Sequence, residues 1–208
     1  MNGRPTNHPT ASLGITPPGA TPLNADEREG LLPGHIRTQG ELNAWEATNI
    51  LQAERWIASW QRRRDVLTVP FLTALHRRMF GETWRWAGTY RRSMINISPY
   101  PAFQVPQLMH DLVNDVRAQR AGDKGLDVDN IAIGYHHRMV RIHPWPNGNG
   151  RHARLAIDLA LVAWGRPRFS WGRNERLEYD GTKRTRYLSA LRAADKHDYS
   201  ELRAFVRS

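Results

Sequence analysis

The run His143-Pro144-Trp145-Pro146-Asn147-Gly148-Asn149-Gly150-Arg151-His152-Ala153-Arg154 constrains the fold more than any other stretch of the chain. It separates two helical patterns, Asp127 to Ile142 before it and Arg151 to Trp164 after it. The first helix cannot run through, because proline fixes φ, lacks an N–H and disfavours α geometry in the residue before it. Gly148 and Gly150 then leave backbone amides uncovered where the second helix begins. The chain must break, turn and restart within one loop. A helix N-terminus with bare amides and arginines beside it attracts anions, phosphate being the usual one.

Each residue of the run has an ordinary reading and a chemical one. His143 is the imidazole next to the glycine loop, and near neutral pH it can accept a proton from an attacking hydroxyl. Alone, a histidine at such a place more often just fills a turn. Gly148, Asn149 and Gly150 can form an anion-binding turn, with the Asn149 amide as a further donor. Alone they are a common Asn-Gly loop. Arg151 and Arg154 are three apart and share one helix face at its positive end, where two cations repel unless an anion lies between them. Alone they are a solvated pair. The coincidence of all three in one short run favours a proton taken from one partner while phosphate is held on another.

The rest of the sequence reads as helix after helix. Asn24 to Gly30 has a cap residue, acids in its first turn and a glycine stop, and it ends on Glu29. Thr38-Gln39-Gly40-Glu41 is a capping-box pattern that opens a helix to about Arg62, with Leu42, Trp45, Ile50, Ala53, Ile57 and Trp60 as its apolar stripe. Thr68 caps a helix over Val69 to Phe80. Met94 to Ile97 and Ala102 to Val105 flank Pro99-Tyr100-Pro101 and read as a small hairpin of edge strands. Helices follow from Pro106 to about Ala121, from Asp127 to Ile142, and over 150–165, 173–179, 182–195 and 199–206. The expected fold is mainly α with one small hairpin.

Composition narrows the function classes. A chain of 208 residues suits one domain plus a tail, here a Pro-, Gly- and Thr-rich stretch over 1–20. With no cysteine there is neither a disulfide framework nor thiolate chemistry, which fits a reducing cytoplasm. No apolar run reaches membrane-span length, and Leu155 to Trp164 contains Asp158. The net charge of +10 points to an anionic partner, a nucleotide, a nucleic acid or an acidic protein.

The central run resembles the Fic-family signature, His-x-Phe-x-acid-Gly-Asn-Gly-Arg-x-x-Arg, at six of its fixed positions. His76-Arg77-Arg78-Met79-Phe80-Gly81, Trp86-Ala87-Gly88-Thr89-Tyr90-Arg91 and Arg186-Tyr187-Leu188-Ser189-Ala190-Leu191 resemble further family elements, so the likeness covers roughly 65–208, with 21–64 as preceding helices. The resemblance implies a Fic-like helical bundle and transfer of AMP from ATP onto a Tyr, Thr or Ser hydroxyl of a target protein. By position, His143 is the general base. Gly148, Asn149 and Gly150 cradle phosphates, Arg151 holds them and steadies leaving pyrophosphate, and Arg154 reaches the γ-phosphate. The segment 95–105, with Ile95, Asn96 and Ile97, corresponds to a flap that takes the target as an added strand.

Two positions depart from the family pattern. Trp145 replaces a phenylalanine and should still anchor the loop. Asn147 stands where an acid usually binds Mg²⁺, so any Mg²⁺ there meets an uncharged ligand. Glu29-Gly30 matches only the end of the family's inhibitory helix, whose glutamate pairs with the second arginine. Glu29 is thus the inhibitory candidate against Arg154, with a separate antitoxin-like partner as the other source of such an acid. Two other classes stay open beside the transferase. One is a metal-dependent hydrolase on His136, His137, His143 and His152. The other is a basic nucleic-acid-binding or regulatory module with a vestigial phosphate site.

Overall fold

The structure, a computed structural model, describes residues 28–58, 65–122, 127–172 and 181–208. The helices among them are α1 Gln39–Ala58, α2 Val69–Phe80, α3 Val105–Gly122, α4 Val128–Ile142, α5 Asn149–Ala163, α6 Gly181–Ala194 and α7 Ser200–Val206. A short 3₁₀ turn, Ala102–Gln104, leads into α3. The expected tail over 1–20 and the expected helix over 173–179 lie outside the described residues. Of the expected 24–30 helix, Arg28 is helical, and Glu29 and Gly30 form a turn.

The caps explain where the helices begin. Thr38 and Glu41 close a capping box: Glu41 N donates to Thr38 Oγ1 at 3.2 Å and Thr38 N to Glu41 Oε2 at 2.9 Å. Thr68 Oγ1 accepts from Phe71 N at 3.1 Å, and Asp127 Oδ1 accepts from Asp129 N at 3.0 Å. Each cap satisfies an amide the helix itself leaves without a partner.

Helix α5 is the hub. Leu155, Ala156, Ile157, Leu159, Ala160 and Leu161 are all buried, so it is apolar on nearly every side, as expected of a helix enclosed by others. α4 and α2 pack on it, α3 packs on α4, and α1 packs on α2. α6 and α7 pair with each other, and α7 also meets α4. The loop between α4 and α5 carries the central run and so sits where the bundle is best held.

The first long helix departs from expectation. Its buried residues are Leu42, Glu46, Asn49 and Ala53, whereas Trp45 is 36% exposed. The spacing of four, three and four still defines one helix face, but two of its members are polar. Asn49 Nδ2 donates to Thr83 Oγ1 at 2.9 Å, and Glu46 accepts from Trp84 Nε1 at 2.8 Å. α1 therefore docks through buried hydrogen bonds as well as apolar contact. A short antiparallel pairing of Leu31 with Trp84 ties the chain before α1 to the same segment.

The expected hairpin is replaced by a looped segment; among the described residues no strands pair between 94 and 105. Pro99 and Pro101 have no N–H to give a ladder. The carbonyls of Ser93 and Tyr100 accept instead from Arg91, at 2.9 and 2.7 Å. α3 then starts at Val105, taking up the end of the second arm.

Candidate active site

His143 ends α4 in the left-handed region, with φ 52° and ψ 61°, and its N–H still reaches Met139 O at 3.1 Å. A non-glycine residue there is strained, by about 1 kcal/mol or more. The turn folds the imidazole back onto the helix, where Nδ1 lies 3.2 Å from Val140 O. A carbonyl only accepts, so Nδ1 carries the proton and Nε2 carries the lone pair. Burial pulls the imidazole pKa down to about 4, the nearby Arg91 cation adds to this, and the Val140 contact opposes it. His143 is thus neutral near pH 7 and oriented as a proton acceptor.

Four aromatic rings hold the loop. Trp145 is fully buried, as expected for the phenylalanine replacement, and stacks on His76 at 4.4 Å and on Tyr90 at 5.0 Å between centroids. His76 accepts from Gly88 N at 2.9 Å through Nδ1, so its Nε2 donates to Asn147 O, at 3.1 Å. His152 Nδ1 accepts from Trp145 Nε1 at 3.3 Å, and its Nε2 donates to Leu72 O at 2.9 Å. Burial holds both imidazoles well below the usual range, so both remain neutral. They act as fixed struts.

Asn149 has a different part from the one expected. Its side chain is buried, with Oδ1 accepting from Trp145 N at 2.9 Å and Nδ2 donating to Trp145 O at 2.8 Å. The amide closes the loop and is not directed at a phosphate. Gly148 also changes role. It caps α5 at φ 78°, and its N–H is taken by Asn147 Oδ1 at 2.5 Å. The first intrahelical bond is His152 N to Gly148 O, so the helix itself cannot satisfy the amides of Asn149, Gly150 and Arg151. The anion-attracting donors are therefore shifted one residue along from the expected set.

Two arginines flank those amides. A methyl built on Gly150 would meet only Arg154 Nη1 within 4 Å, at 3.7 Å, which places that guanidinium over the open side of the first turn. Arg154 also lies over the Tyr187 ring, 5.6 Å from its centroid. Arg151 lies over Phe80 at 5.2 Å and pairs with Glu46, Nη1 to Oε2 at 2.8 Å. Glu46 was not among the expected site residues. Its neighbours in sequence, Trp45 and Ala47, carry no motif that marks it.

Arg91 is the second residue the sequence did not single out for the site. It is 2% exposed and has no carboxylate partner among the described residues. Its Nε donates to His143 O at 2.8 Å, Nη2 to Ser98 Oγ at 3.2 Å, and its backbone N to Pro144 O at 2.9 Å. Ser98 Oγ in turn donates to Arg141 O or Ile142 O, at 2.9 and 3.1 Å. The looped segment is thereby buckled to the start of the central run. Ile95 is half-buried and Asn96 exposed, while Met94, Ile97 and Phe103 are exposed apolar side chains along it.

Other expected residues are not brought together. Glu29 is exposed, and among the described residues no ion pair joins it to Arg154. Among the described residues Glu46 meets a motif arginine, Arg151. His136 bonds Tyr187 OH at 2.9 Å, whereas His137 bonds Asp195 Oδ1 at 2.9 Å. With His152 on Leu72 O, the four histidines of the hydrolase reading face different partners. Among the described residues no three His, Cys, Asp or Glu converge on a metal position. Much of the basic charge is paired, as in Arg207 with Asp129 at 2.6 Å and Arg138 with Asp115 at 2.8 Å. No described helix is long and apolar enough to cross a membrane.

The sequence pattern of the Fic/DOC family matches residues 66–161. The chain is 34% identical over 112 residues to the "Probable protein adenylyltransferase" of Aquifex aeolicus, across 51% of this chain and 31% of the relative. It is 24% identical over 152 residues to protein adenylyltransferase fic-1 of Caenorhabditis elegans, across 70% of this chain and 30% of the relative. The chain thus spans about a third of the length of these relatives. Among solved structures, C. elegans Fic-1 (residues 134–508, E274G) superposes with a TM-score of 0.64 at 22% identity, over 87% of this chain and 51% of that one. BepC of Bartonella tribocorum, solved with bound AMPPNP, superposes at 0.61 with 17% identity, over 88% of this chain and 97% of that one. These two likenesses show a shared helical fold.

Proposed function

We propose that this chain, whose residues 66–161 match the Fic/DOC family pattern, transfers AMP from ATP to a hydroxyl side chain of another protein. One observation carries the reading. A neutral, tautomer-fixed imidazole on His143 stands at one end of the loop, and uncapped helix amides with Arg151 and Arg154 stand at the other. His143 Nε2 takes the proton as the hydroxyl oxygen bonds to the α-phosphorus. The bond from that phosphorus to the bridging oxygen breaks, and pyrophosphate leaves. The amides of Asn149, Gly150 and Arg151, with the two guanidiniums, offset the charge gathering on the phosphates. The low pKa keeps His143 ready as an acceptor but makes it a weak base, so most of the acceleration falls to positioning and charge.

The donors here do not form a dedicated Mg²⁺ site. Mg²⁺ is usually held by one or two carboxylates together with substrate phosphates. Asn147 supplies only a neutral oxygen, which already accepts the Gly148 N–H.

The looped segment is the natural place for the acceptor protein, since its exposed apolar side chains lie on a stretch tied to His143 through Arg91. A cavity of about 240 Å³ adjoins it, lined by Tyr100, Arg141, Ile142 and Tyr199 among others, with room for a side chain flanking the modified hydroxyl. The test is mass spectrometry of a cell extract incubated with ATP and wild type or His143→Ala. Adducts of one AMP on Tyr, Thr or Ser with wild type alone support the reading. Equal adducts with both proteins refute it.

A further inference from the structure

We infer that Glu46, anchored by Trp84, is a positioning residue for the nucleotide's phosphates, acting through Arg151; this rests on the nucleotide reading above. Glu46 lies on α1, outside the stretch matched by the family. Its side chain is 2% exposed and that of Arg151 is 18% exposed. The carboxylate is held twice, by Trp84 Nε1 on Oε1 at 2.8 Å and by Arg151 Nη1 on Oε2 at 2.8 Å. Trp84 is itself fully buried and stacked on Trp86 at 4.9 Å, so the anchor is rigid.

The geometry favours alignment of Arg151 over sequestration. A guanidinium presents five N–H donors in a fixed fork, and Glu46 meets it through Nη1. The side chain keeps 18% exposure, and the N–H donors that Glu46 does not use can meet an anion. The stem runs from the first turn of α5, and the plane rests on Phe80. Phe80 also lies under Gly148, where an added methyl would come within 2.5 Å of its ring. One cluster thus sets both the loop and the guanidinium that faces the phosphates. A long side chain fixed beforehand loses less freedom when the ligand arrives. Glu46 cannot swing aside without stranding a buried Trp84 N–H and an unpaired buried charge, both costly.

A purely structural salt bridge would support every ligand equally, whereas this role depends on phosphate. The experiment is binding of ATP and of adenosine, by calorimetry, to wild type, Glu46→Gln and Trp84→Phe. Glutamine keeps an acceptor for Trp84 but removes the charge that orients Arg151. The expected result is about tenfold weaker ATP binding by Glu46→Gln, a smaller loss by Trp84→Phe, and adenosine affinity unchanged in both. A double variant, Glu46→Gln with Arg151→Gln, should bind ATP no more weakly than Arg151→Gln alone. Unchanged or tighter ATP binding by Glu46→Gln overturns the inference, as does parallel loss of ATP and adenosine. If wild type binds no ATP, the nucleotide reading itself fails and takes the inference with it.

Discussion

Arg91 Nε donates to the main-chain carbonyl of His143 at 2.8 Å, so a buried cation holds the residue proposed as base by its backbone. The same guanidinium reaches Ser93 O, Ser98 Oγ and Tyr100 O. Lysine has no planar fork and could satisfy only part of this set. Arg91→Lys is therefore expected to destabilise the fold by about 2–3 kcal/mol. It should also lower AMP transfer further than the lost stability explains, because the strained His143 turn relaxes. Denaturant melts with transfer assays on the folded fraction check both parts.

Gly148 tests the loop from the other side. Its φ of 78° suits glycine, and a methyl there would strike Phe80 Cζ at 2.5 Å, a rigid ring with no flexible end to move away. Gly148→Ala should cost about 1–3 kcal/mol and disturb the Arg151 cation seated on that ring. Replacing Phe80 by leucine in the same chain should return part of the stability, measured as the shift in Tm. Gly150→Ala meets only Arg154 Nη1 at 3.7 Å, so it should fold normally.

Acid sensitivity follows from four buried imidazoles. Burial lowers His76 well below the usual value, His136 to about 3, and His143 and His152 to about 4. An unfolded histidine takes a proton near pH 6.5. Between pH 6.5 and 4 the unfolded chain therefore binds more protons than the native one. The resulting stability is present above pH 6.5 and is lost as pH falls. Asp158, raised to about 6, has the opposite sign over much of this range and offsets about one proton. A net slope of roughly 4 kcal/mol per pH unit is expected, so the fold should melt before pH 4. Urea midpoints at pH 7 and 5.5 check it; equal midpoints would contradict it. In the same way the acid limb of transfer activity should lie below pH 6, under the ordinary imidazole range.

Asp158 makes a separate prediction. Burial raises its pKa to about 6, although Trp171 Nε1 and Phe169 N both donate to it. A raised acid favours the native state below its unfolded pKa, and that stability is lost as pH rises through 6. Asp158→Asn keeps an acceptor for both donors and removes the charge. It should gain on the order of 2 kcal/mol at pH 7.5, and the gain should vanish below about pH 4. Thermal melts across that range decide it.

Local signals in this chain were legible, and long-range polar contacts were not. Thr38 with Glu41 and Thr68 cap helices where their patterns say, because a cap involves only neighbours in sequence; either Asp127 or Asp129 could cap the helix to Ile142, and Asp127 does. The Asn147–Gly150 turn and the helix break at His143 were readable for the same reason. Glu46 escaped because Trp45 beside it drew the apolar stripe to another face, and its partners Trp84 and Arg151 come from remote parts of the chain. Arg91 ends the Trp86–Arg91 run, but nothing in that run marks the carbonyls of His143 and Tyr100 as its partners. The hairpin failed because Pro99 and Pro101 between its arms have no N–H to give, and the second arm passes into the 3₁₀ turn at Ala102–Gln104 and the start of α3. The bonds of the Asn149 side chain to Trp145 N and O were not legible, since an amide's partner cannot be read from its type.

The most direct test of the central claim is to incubate wild type and His143→Ala, each with a cell extract, and with ATP labelled at either the α- or the γ-phosphate. The account predicts protein-bound label from α-labelled ATP with wild type, none from γ-labelled ATP, and none from either with His143→Ala. Label transferred from the γ-phosphate, or α-label that persists undiminished without His143, would contradict it.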